Sequence, residues 1–418
     1  MAITNLKVSN FRSFKDLDLN LGRFNVVIGA NAAGKSNFVE VFRFLKTLER
    51  ENLADTISLH GGPTAITNLR LGSAHPLRMR MTSDQQIAWG GAWSRIHVWE
   101  TTYDFSLQLD PQNGPTVTED HFTQKLRTRI GDETLEMILD NLSSKETQEL
   151  KIGPADVLER IDKERASSED VWLRQAWLPY VRASASAALA WNTRTLLMQH
   201  RGIFGSTGPS ESLCGRIGVY DIDPRVVKRP HPTAGRSQLQ ENGENLVLVL
   251  KQILADPEKT RTFHNLLRYM LPFAVEIGVE DFLGMSLLLK LWEEYYEESL
   301  LANLLSDGTV DVVALITALF FEDKDVVIIE EPERNLHPHL ISGLMELMKD
   351  AARNKQIIIT THSPEVVKHA GVENLLLISR DKEGFSTISR PAEKQDVKIF
   401  LENNLGLDEV FVQELWGP

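Results

Sequence analysis

The amino-acid sequence predicts an α/β fold with a mainly parallel sheet, antiparallel strands near its N-terminus and an inserted region. Short apolar segments alternate with helical patterns at both ends of the 418-residue chain, an alternation that is typical of parallel sheets. From about residue 71 to 215 the pattern changes to short alternating strands and charged, helix-like sequence. The chain is also two to three times longer than the usual ~150 residues of one domain. We therefore expect a core divided between residues 1–70 and 216–418, with an α+β or helical insertion over 71–215.

Three strands and a helix are predicted in the first half of the core. Ile3 to Val8 alternates apolar and polar residues, Phe11 to Leu21 does so more loosely, and Phe24 to Ile28 is a continuous apolar run. Alternation is typical of a half-buried strand, whereas a continuous apolar run is typical of a buried one. A glycine-rich loop follows, after which apolar residues recur at helical spacing from Asn37 to Glu49.

The insertion is predicted to combine a sheet with helices. Short alternating stretches from Leu77 to about Phe122 predict an antiparallel sheet. The strongly charged sequence from Asp132 to His200 predicts helices, with breaks at Pro154 and Pro179. We interpret the aromatic residues of the insertion as packing groups rather than as a docking face. They include Trp89, Trp93, Trp99, Trp172, Trp177 and Trp191.

The second half of the core is predicted to alternate strands and helices. The predicted strands cover Val219 to Ile222, Val326 to Ile329, Gln356 to Thr360, Leu375 to Ser379 and Phe385 to Ser389. The predicted helices cover Asn245 to Leu254, Arg261 to Met270, Val310 to Phe321, His339 to Ala352 and Pro364 to Lys368. This alternation favours parallel strands in one sheet.

Composition and charge exclude several classes of protein. The chain has one cysteine, Cys214, so it forms no internal disulfide. The apolar run from Val312 to Phe321 is shorter than the ~20 residues that span a bilayer, and polar residues between Thr4 and Asp18 argue against a signal peptide. We therefore expect a cytoplasmic protein with no membrane partner. Because the net charge is −13, a nucleic-acid site would need a local basic patch. The segment from Pro224 to Arg236 is one candidate, and it is equally consistent with a solvated connection.

Residues 29–36 carry the strongest motif. Their sequence, GANAAGKS, fits G-x-x-x-x-G-K-[ST], with a buried strand before it and a helix after it. Gly29 and Gly34 permit a tight backbone turn whose N–H groups point at phosphate oxygens. Lys35 supplies a cation for the β- and γ-phosphates, and Ser36 supplies a hydroxyl ligand for Mg²⁺. The alternative is a plain glycine turn, which does not need the complete motif. The sequence therefore predicts a site for ATP and Mg²⁺.

Acidic residues and a histidine follow two later core strands. Val326 to Ile329 leads directly into Glu330 and Glu331, at the edge of the sheet where α/β folds bind ligands. One carboxylate can complete the Mg²⁺ shell, and the next can orient the attacking water. His362 follows the strand from Gln356 to Thr360 and can hydrogen-bond the γ-phosphate or that water. The alternatives are a solvated acidic turn and a structural histidine.

These motifs resemble the ATP-binding-cassette type of ATPase domain. GANAAGKS, LSDGT (Leu305 to Thr309), VVIIEEPERNLHP and TTHS occur in that order. The chain is more closely similar to the bacterial family called AAA15/AAA21, which is related to the OLD-family ATPases and to the heads of chromosome-maintenance and break-repair ATPases. The opening ITNLKVSNFRSFKDLDLNL and the segments DPRVVKRP and NGENLVLVL also resemble that family. The resemblance covers roughly residues 1–70 and 215–390.

The resemblance implies a role for each motif residue. Lys35 would bind the phosphates, and Ser36 and Glu330 would hold Mg²⁺, although the cassette pattern more often has Asp at the position of Glu330. Glu331 would be the catalytic base, with His362 as the switch histidine. The other nucleotide-binding residues would be Asn31, Ala32, Ala33, Gly34, Asn37 and Arg12. For the family's magnesium-sensing glutamine, the candidates are Gln85 and Gln86.

The motif LSDGT has two compatible interpretations. By resemblance, Ser306, Asp307 and Gly308 form the signature motif, which contacts the γ-phosphate bound by an opposite subunit. This implies a homodimer or higher homo-oligomer closed over ATP, in which Glu333 to Pro338 crosses between subunits. Asp307 or Thr309 could equally cap the helix predicted after this motif. A helix N-terminus is itself an anion site, so one interpretation does not exclude the other.

The resemblance implies a slow, switch-like ATPase that regulates or scaffolds a separately encoded effector, a nuclease or toxin, in antiphage defence. Some relatives carry a nuclease domain after the ATPase, but here fewer than thirty residues follow Ser389. The alternatives are a DNA-repair ATPase that clamps DNA directly and a nucleotide-dependent scaffold with negligible hydrolysis. The net charge of −13 counts against direct DNA clamping.

Overall fold

The structure is a computed structural model that describes residues 1–84, 87–89, 96–110, 112, 114–127, 134–142, 149–152, 196, 198, 214–282 and 284–393. Within these ranges the chain divides into two compact units. The first contains the described residues of Met1–Gly22, Glu40–Arg216 and Arg380–Ile388, and the second contains those of Arg23–Val39, Ile217–Ser379 and Ser389–Pro418.

The elements are numbered along the described part of the chain. The strands are β1 (Ala2–Phe11), β2 (Phe14–Asn20), β3 (Phe24–Ile28), β4 (Leu77–Asp84), β5 (Ile87–Trp89), β6 (Ile96–Asp110), β7 (Gly114–Arg127), β8 (Thr134–Leu142), β9 (Glu149–Ile152), β10 (Ile217–Tyr220), β11 (His231–Pro232), β12 (Ala274–Phe282), β13 (Ser286–Glu293), β14 (Leu300–Leu301), β15 (Val326–Glu330), β16 (Gln356–Thr361), β17 (Leu375–Arg380) and β18 (Ser386–Ser389). The α-helices are α1 (Lys35–Arg50), α2 (Leu53–Leu59), α3 (Pro63–Ile66), α4 (Pro224–Val227), α5 (Leu246–Leu254), α6 (Pro257–Met270), α7 (Asp307–Ile316), α8 (Pro338–Ala351) and α9 (Pro364–Ala370). A π-helical turn over Thr317–Phe321 continues α7.

An antiparallel sheet of eight strands dominates the first unit. Its order is β2-β1-β4-β6-β7-β8-β9, with β5 paired to β6. In β4, Leu77, Met79 and Met81 are buried, whereas Arg78 and Arg80 between them are exposed. This alternation is that of a sheet with one face on the core and one face in solvent. The predicted antiparallel sheet over 77–122 is confirmed, and it extends the sheet that β1 and β2 begin.

The prediction of helices over 132–200 is wrong where the structure describes that region. Residues 134–142 and 149–152 are strands β8 and β9, and β8 pairs with β7 along its whole length. Pairing to the exposed edge of β7 satisfies the backbone groups of β8, so tertiary context overrides the helical pattern. The remaining part of that prediction lies outside the described residues. Of the six tryptophans of the insertion named above, only Trp99 has a described side chain, and it is 37% exposed.

A parallel sheet forms the centre of the second unit. Its strands lie in the order β10-β15-β16-β3-β17, and each neighbouring pair is parallel. β3, β16 and the first four residues of β15 are fully buried, as their continuous apolar sequences predict. Helices α5 to α8 bury their apolar faces in the same core. The mainly parallel core is therefore confirmed.

The small sheet of the second unit is absent from the sequence-based prediction. β12 and β13 form an antiparallel hairpin closed by Gly284 at φ +68°, with β11 and β14 on β13. Alternating burial in β13 fits a strand, and in β12 the residues Val275, Ile277 and Val279 alternate with polar or small ones. The sequence therefore carried a strand pattern here that the prediction did not use. Among the described residues, no helix has the length and apolar character needed to cross a bilayer.

Candidate nucleotide-binding and hydrolysis site

The register of the parallel sheet brings three loops to one edge. β3 lies beside β16, and β16 lies beside β15, all parallel. Glu330 is opposite Thr360, and Thr361 is opposite Ile28. The segments that follow these strands therefore leave the sheet at the same carboxyl edge, where α/β folds bind ligands. These segments carry the phosphate loop, the acidic pair and the switch histidine.

The phosphate loop has the backbone that its glycines were predicted to permit. Gly34 adopts φ +121° and Ala32 adopts φ +62°, in the left-handed region where glycine is favoured. A Cβ atom on Gly29 would lie 2.3 Å from the carbonyl oxygen of Ile378. The loop thus begins in contact with β17, with no room for a side chain. Of the predicted nucleotide-binding residues in this loop, the exposed ones are Asn31, Ala32 and Ser36, the half-buried one is Asn37, and the buried ones are Ala33, Gly34 and Lys35.

Lys35 is held inside the phosphate loop. Its ammonium donates to the carbonyl oxygens of Gly29 at 2.7 Å and Ala30 at 3.1 Å. Burial lowers the pKa of Lys35, and the negative charges of Glu331 and Glu333 oppose that shift. A cation that is partly desolvated interacts more strongly with a polyphosphate than an exposed one does. The geometry therefore suits the predicted role of Lys35.

Glu331 follows β15 in a strained conformation. Its φ is +45°, which is rare for a residue with a side chain and is concentrated at functional sites. Its N–H donates to the carbonyl oxygen of Thr360 at 2.9 Å. One carboxylate oxygen lies 2.8 Å from Nδ1 of His362, and the other accepts from Arg334 at 3.3 Å. The structure thus brings the predicted base and the predicted switch histidine into direct contact.

Glu333 is a site residue that the sequence analysis assigned only to a loop. Oε1 of Glu333 accepts from the hydroxyl of Thr361 at 2.5 Å, and that hydroxyl accepts from the N–H of Ser363 at 2.9 Å. Its Oε2 is buried and has no hydrogen-bond partner within the described part of the chain. Burial raises the pKa of Glu333, and the hydrogen bond from Thr361 opposes the shift. The contact joins the two segments that carry Glu331 and His362. In the sequence, Glu333 is marked only as the third carboxylate of EEPE (330–333).

The donor set at this edge fits Mg²⁺. Ser36 offers a hydroxyl in the first turn of α1, and Glu330 offers a carboxylate at the end of β15. Mg²⁺ takes oxygen ligands and is usually held by one or two carboxylates together with phosphate oxygens and water. Among the described residues there is no group of three or more His, Cys, Asp or Glu side chains that could hold a metal ion by themselves. Gln85 and Gln86, the candidates for metal sensing, lie outside the described residues.

The predicted signature motif begins α7. Oγ of Ser306 accepts from the N–H of Thr309 at 3.0 Å, so Ser306 is the N-cap. The prediction that Asp307 or Thr309 caps the helix is wrong, because α7 begins at Asp307, three residues before the predicted start. Asp307 forms an ion pair with Lys228. The helix-cap interpretation of LSDGT is therefore confirmed with a different cap residue, and the role in an opposite subunit stays a prediction.

Arg12 lies in the first unit, where its guanidinium forms a 2.7 Å ion pair with Glu40. Burial disfavours the charge of Glu40, but the hydrogen bond from His60 and the charges of Arg12 and Arg43 together lower its pKa to about 2. Arg12 is thus part of a stable ionic cluster on α1. Its predicted contact with nucleotide stays a prediction.

The candidate basic segment from Pro224 to Arg236 is partly neutralised. Arg225 pairs with Asp223 at 3.0 Å, and Lys228 pairs with Asp307. Arg229 and Arg236 are exposed. Because carboxylates already neutralise two of its cations, this segment offers less positive charge than its sequence suggests.

Asp311 lies on α7 and is only 5% exposed. Burial raises its pKa to about 7, although a hydrogen bond from Asn335 favours the charged form. In the unfolded chain its pKa is 3.8. Between pH 3.8 and about pH 7, the folded protein therefore binds a proton at Asp311 that the unfolded chain has released. Because of this proton, the free energy of unfolding falls as pH rises through that window.

We expect Asp311→Asn to be more stable than the wild type at neutral pH, because the amide carries no buried charge. The pH-dependent part of the difference should be lost below about pH 3, where the carboxyl is protonated in both states, and should grow until about pH 7. Urea unfolding of both nucleotide-free proteins across this pH range measures the difference in their free energies of unfolding. A difference that does not change with pH would contradict the buried-carboxylate account.

Two family models match the chain. One described as AAA ATPase domain matches residues 1–159, and one described as AAA domain, putative AbiEii toxin, Type IV TA system matches residues 239–368. The chain is thus similar to AAA ATPase domains over these two stretches. The first match contains the phosphate loop, and the second contains Glu331 and His362.

Curated relatives match shorter stretches of the chain. Protein ea59 of Escherichia phage lambda is 36% identical over 117 residues, which are 27% of this chain and 21% of that protein. Septu protein PtuA of Bacillus thuringiensis is 30% identical over 90 residues, 20% of this chain and 23% of PtuA. Endonuclease GajA of Bacillus cereus is 42% identical over 45 residues, 11% of this chain and 8% of GajA. The chain thus spans less than a quarter of the length of each of these relatives.

Solved structures of SMC heads are similar over most of the chain at low identity. The SMC head bound to the C-winged helix domain of ScpA is 12% identical with a TM-score of 0.49, over 93% of this chain and 97% of that one. The SMC head domain from Thermotoga maritima is 12% identical with a TM-score of 0.39, over 93% of this chain and 99% of that one.

Proposed function

We propose that this protein is a slow ATPase that closes as a dimer over ATP and Mg²⁺ and thereby regulates a separately encoded effector, a nuclease or toxin, in antiphage defence. The observation that carries the ATPase part is the convergence of Lys35, Glu331 and His362 at one edge of the sheet. Lys35 would bind the phosphates, and Ser36 and Glu330 would hold Mg²⁺. When bound, this ion would neutralise negative charge on the phosphate oxygens.

Hydrolysis would be carried by the contact between Glu331 and His362. A carboxylate beside a histidine can orient a water molecule and accept its proton as the water attacks the γ-phosphate. Arg334 restrains the second oxygen of Glu331, so the first oxygen has a defined direction. His362 is the more exposed partner, with 56% of its side chain accessible, and can contact the γ-phosphate.

The regulatory part of the proposal draws on the relatives. These relatives include a Septu protein and an endonuclease, and one matching family is described as a putative toxin. A switch-like ATPase suits such a context because ATP-dependent closure can hold or release a partner protein. Co-purification with the product of a neighbouring gene, with and without ATP, tests this part.

Mixing two inactive variants tests the dimer. If Ser306 acts on nucleotide held by Lys35 of another subunit, Lys35→Ala and Ser306→Arg chains should each be inactive alone. A random mixture should regain about a quarter of wild-type activity, because half of the dimers would contain one intact site of two.

The matched control mixes Lys35→Ala with Glu331→Gln. These two residues serve the same site, so every site in the mixed dimer keeps a defect and no activity should return. Recovery in this control, or a Ser306→Arg chain with full activity, would contradict a site shared between subunits. Sizing with ATP establishes the dimer independently, and melting curves exclude loss of fold after removal of the Ser306 cap, which costs about 1 kcal/mol.

A further inference from the structure

Asp311 is a buried carboxylate that the proposed mechanism does not use. It is 5% exposed, and its Oδ1 has no hydrogen-bond partner among the described residues. Such a group costs free energy and persists where it serves another purpose. Its Oδ2 accepts from the side-chain amide of Asn335 at 2.9 Å. Asp311 therefore connects helix α7 to the loop that follows Glu331.

A second contact joins the same two segments. A Cβ atom on Gly308 would lie 2.5 Å from the carbonyl oxygen of Asn335, so the first turn of α7 packs directly on the loop backbone. Asn335 itself adopts φ +63°, a conformation that needs support from its surroundings. Asp311 supplies that support through the side chain, and Gly308 permits the close approach of the backbone.

The loop is also continuous with the hydrolysis site. Arg334 precedes Asn335, and its guanidinium bridges Glu331 at 3.3 Å and Asp221 at 3.1 Å. Asp311, Glu330, Glu331 and Arg334 line one small cavity of about 10 Å³. A shift of Asn335 would therefore be transmitted through Arg334 to the carboxylate of Glu331.

We propose that Asp311 is a positioning residue for ATP hydrolysis, which holds Asn335 and so fixes the loop after Glu331 against helix α7. This inference rests on the proposed ATPase function. It assigns Asp311 no contact with substrate; the residue acts through Asn335 and Arg334.

Side-chain replacement separates positioning from packing. Asp311→Ala removes the acceptor, and we expect kcat to fall at least about ten-fold with the KM for ATP changed less than about two-fold. Asp311→Asn keeps an oxygen for the Asn335 amide and should retain at least half of wild-type kcat.

Asn335→Ala removes the other partner of the same contact and should match Asp311→Ala. The double variant should be no worse than the more affected single variant, because both substitutions remove one contact. Asn374→Ala serves as the control and should keep kcat, because Asn374 lies in the short 3-10 helix Val372–Asn374, away from this loop, and its amide donates to the carbonyl oxygen of Ala370.

Hydrogen exchange over residues 331–338 gives a readout that does not need hydrolysis. Exchange should be faster in Asp311→Ala than in the wild type and unchanged in Asp311→Asn. The inference is overturned if Asp311→Ala keeps wild-type kcat while folded, if Asp311→Asn loses as much as Asp311→Ala, or if exchange of the loop is unaltered. A wild-type protein that binds ATP without hydrolysing it would contradict the proposed function instead, and the exchange data would still decide the role of Asp311.

Discussion

Glu331→Gln should bind ATP as the wild type does and lose at least about 100-fold in turnover, the usual effect of removing a general base. The amide keeps the size of the side chain and an oxygen that can face His362. It cannot accept a proton from water near neutral pH. Single-turnover hydrolysis with Mg²⁺ and a separate measurement of nucleotide affinity distinguish loss of chemistry from loss of binding.

Glu298→Gln is the matched control for that experiment. Glu298 is exposed and lies outside every motif, and its replacement makes the same change of charge and size. It should hydrolyse ATP at the wild-type rate. If Glu331→Gln also turns over at that rate, another group is the base, and the contact with His362 serves only to shape the loop.

Lys35→Ala should weaken ATP binding at least about 100-fold, equivalent to about 3 kcal/mol. The variant removes the cation that the phosphate loop holds on the carbonyl oxygens of Gly29 and Ala30, and hydrogen bonds to charged groups are each worth about 1.5–3 kcal/mol. Titration of a fluorescent ATP analogue measures the loss. Because burial lowers the pKa of Lys35, wild-type affinity should also begin to fall at a pH below the ordinary lysine range.

Lys251→Ala provides the control for charge. Lys251 is exposed on α5, so the variant makes the same change in net charge away from the site. Its affinity for ATP should equal that of the wild type. Similar losses in both variants would point to a general electrostatic effect, and an unchanged affinity in Lys35→Ala would remove the case for a phosphate site in this loop.

The sequence by itself determined which strands of the parallel sheet are buried and which residues form the motifs of the candidate site. The continuous apolar runs at β3, β15 and β16 identified buried parallel strands, because only strands covered on both faces are apolar throughout. The complete phosphate-loop motif fixed the positions of Gly29, Gly34 and Lys35, since its spacing leaves one arrangement of backbone and cation. The acidic pair and His362 were found because each directly follows one of these strands.

Tertiary structure alone decided which side chains meet. Strand order and register brought Glu331 to 2.8 Å from His362, although 31 residues separate them in the chain. EEPE marks Glu333 as a third carboxylate, but the partners of Glu333 and Asp311 had no local signal. A carboxylate in a loop or a helix has the same sequence whether it faces water or a distant partner. The strands β8 and β9 were mispredicted for the same reason: their backbone groups pair with residues far away in sequence, and this pairing outweighs local propensity.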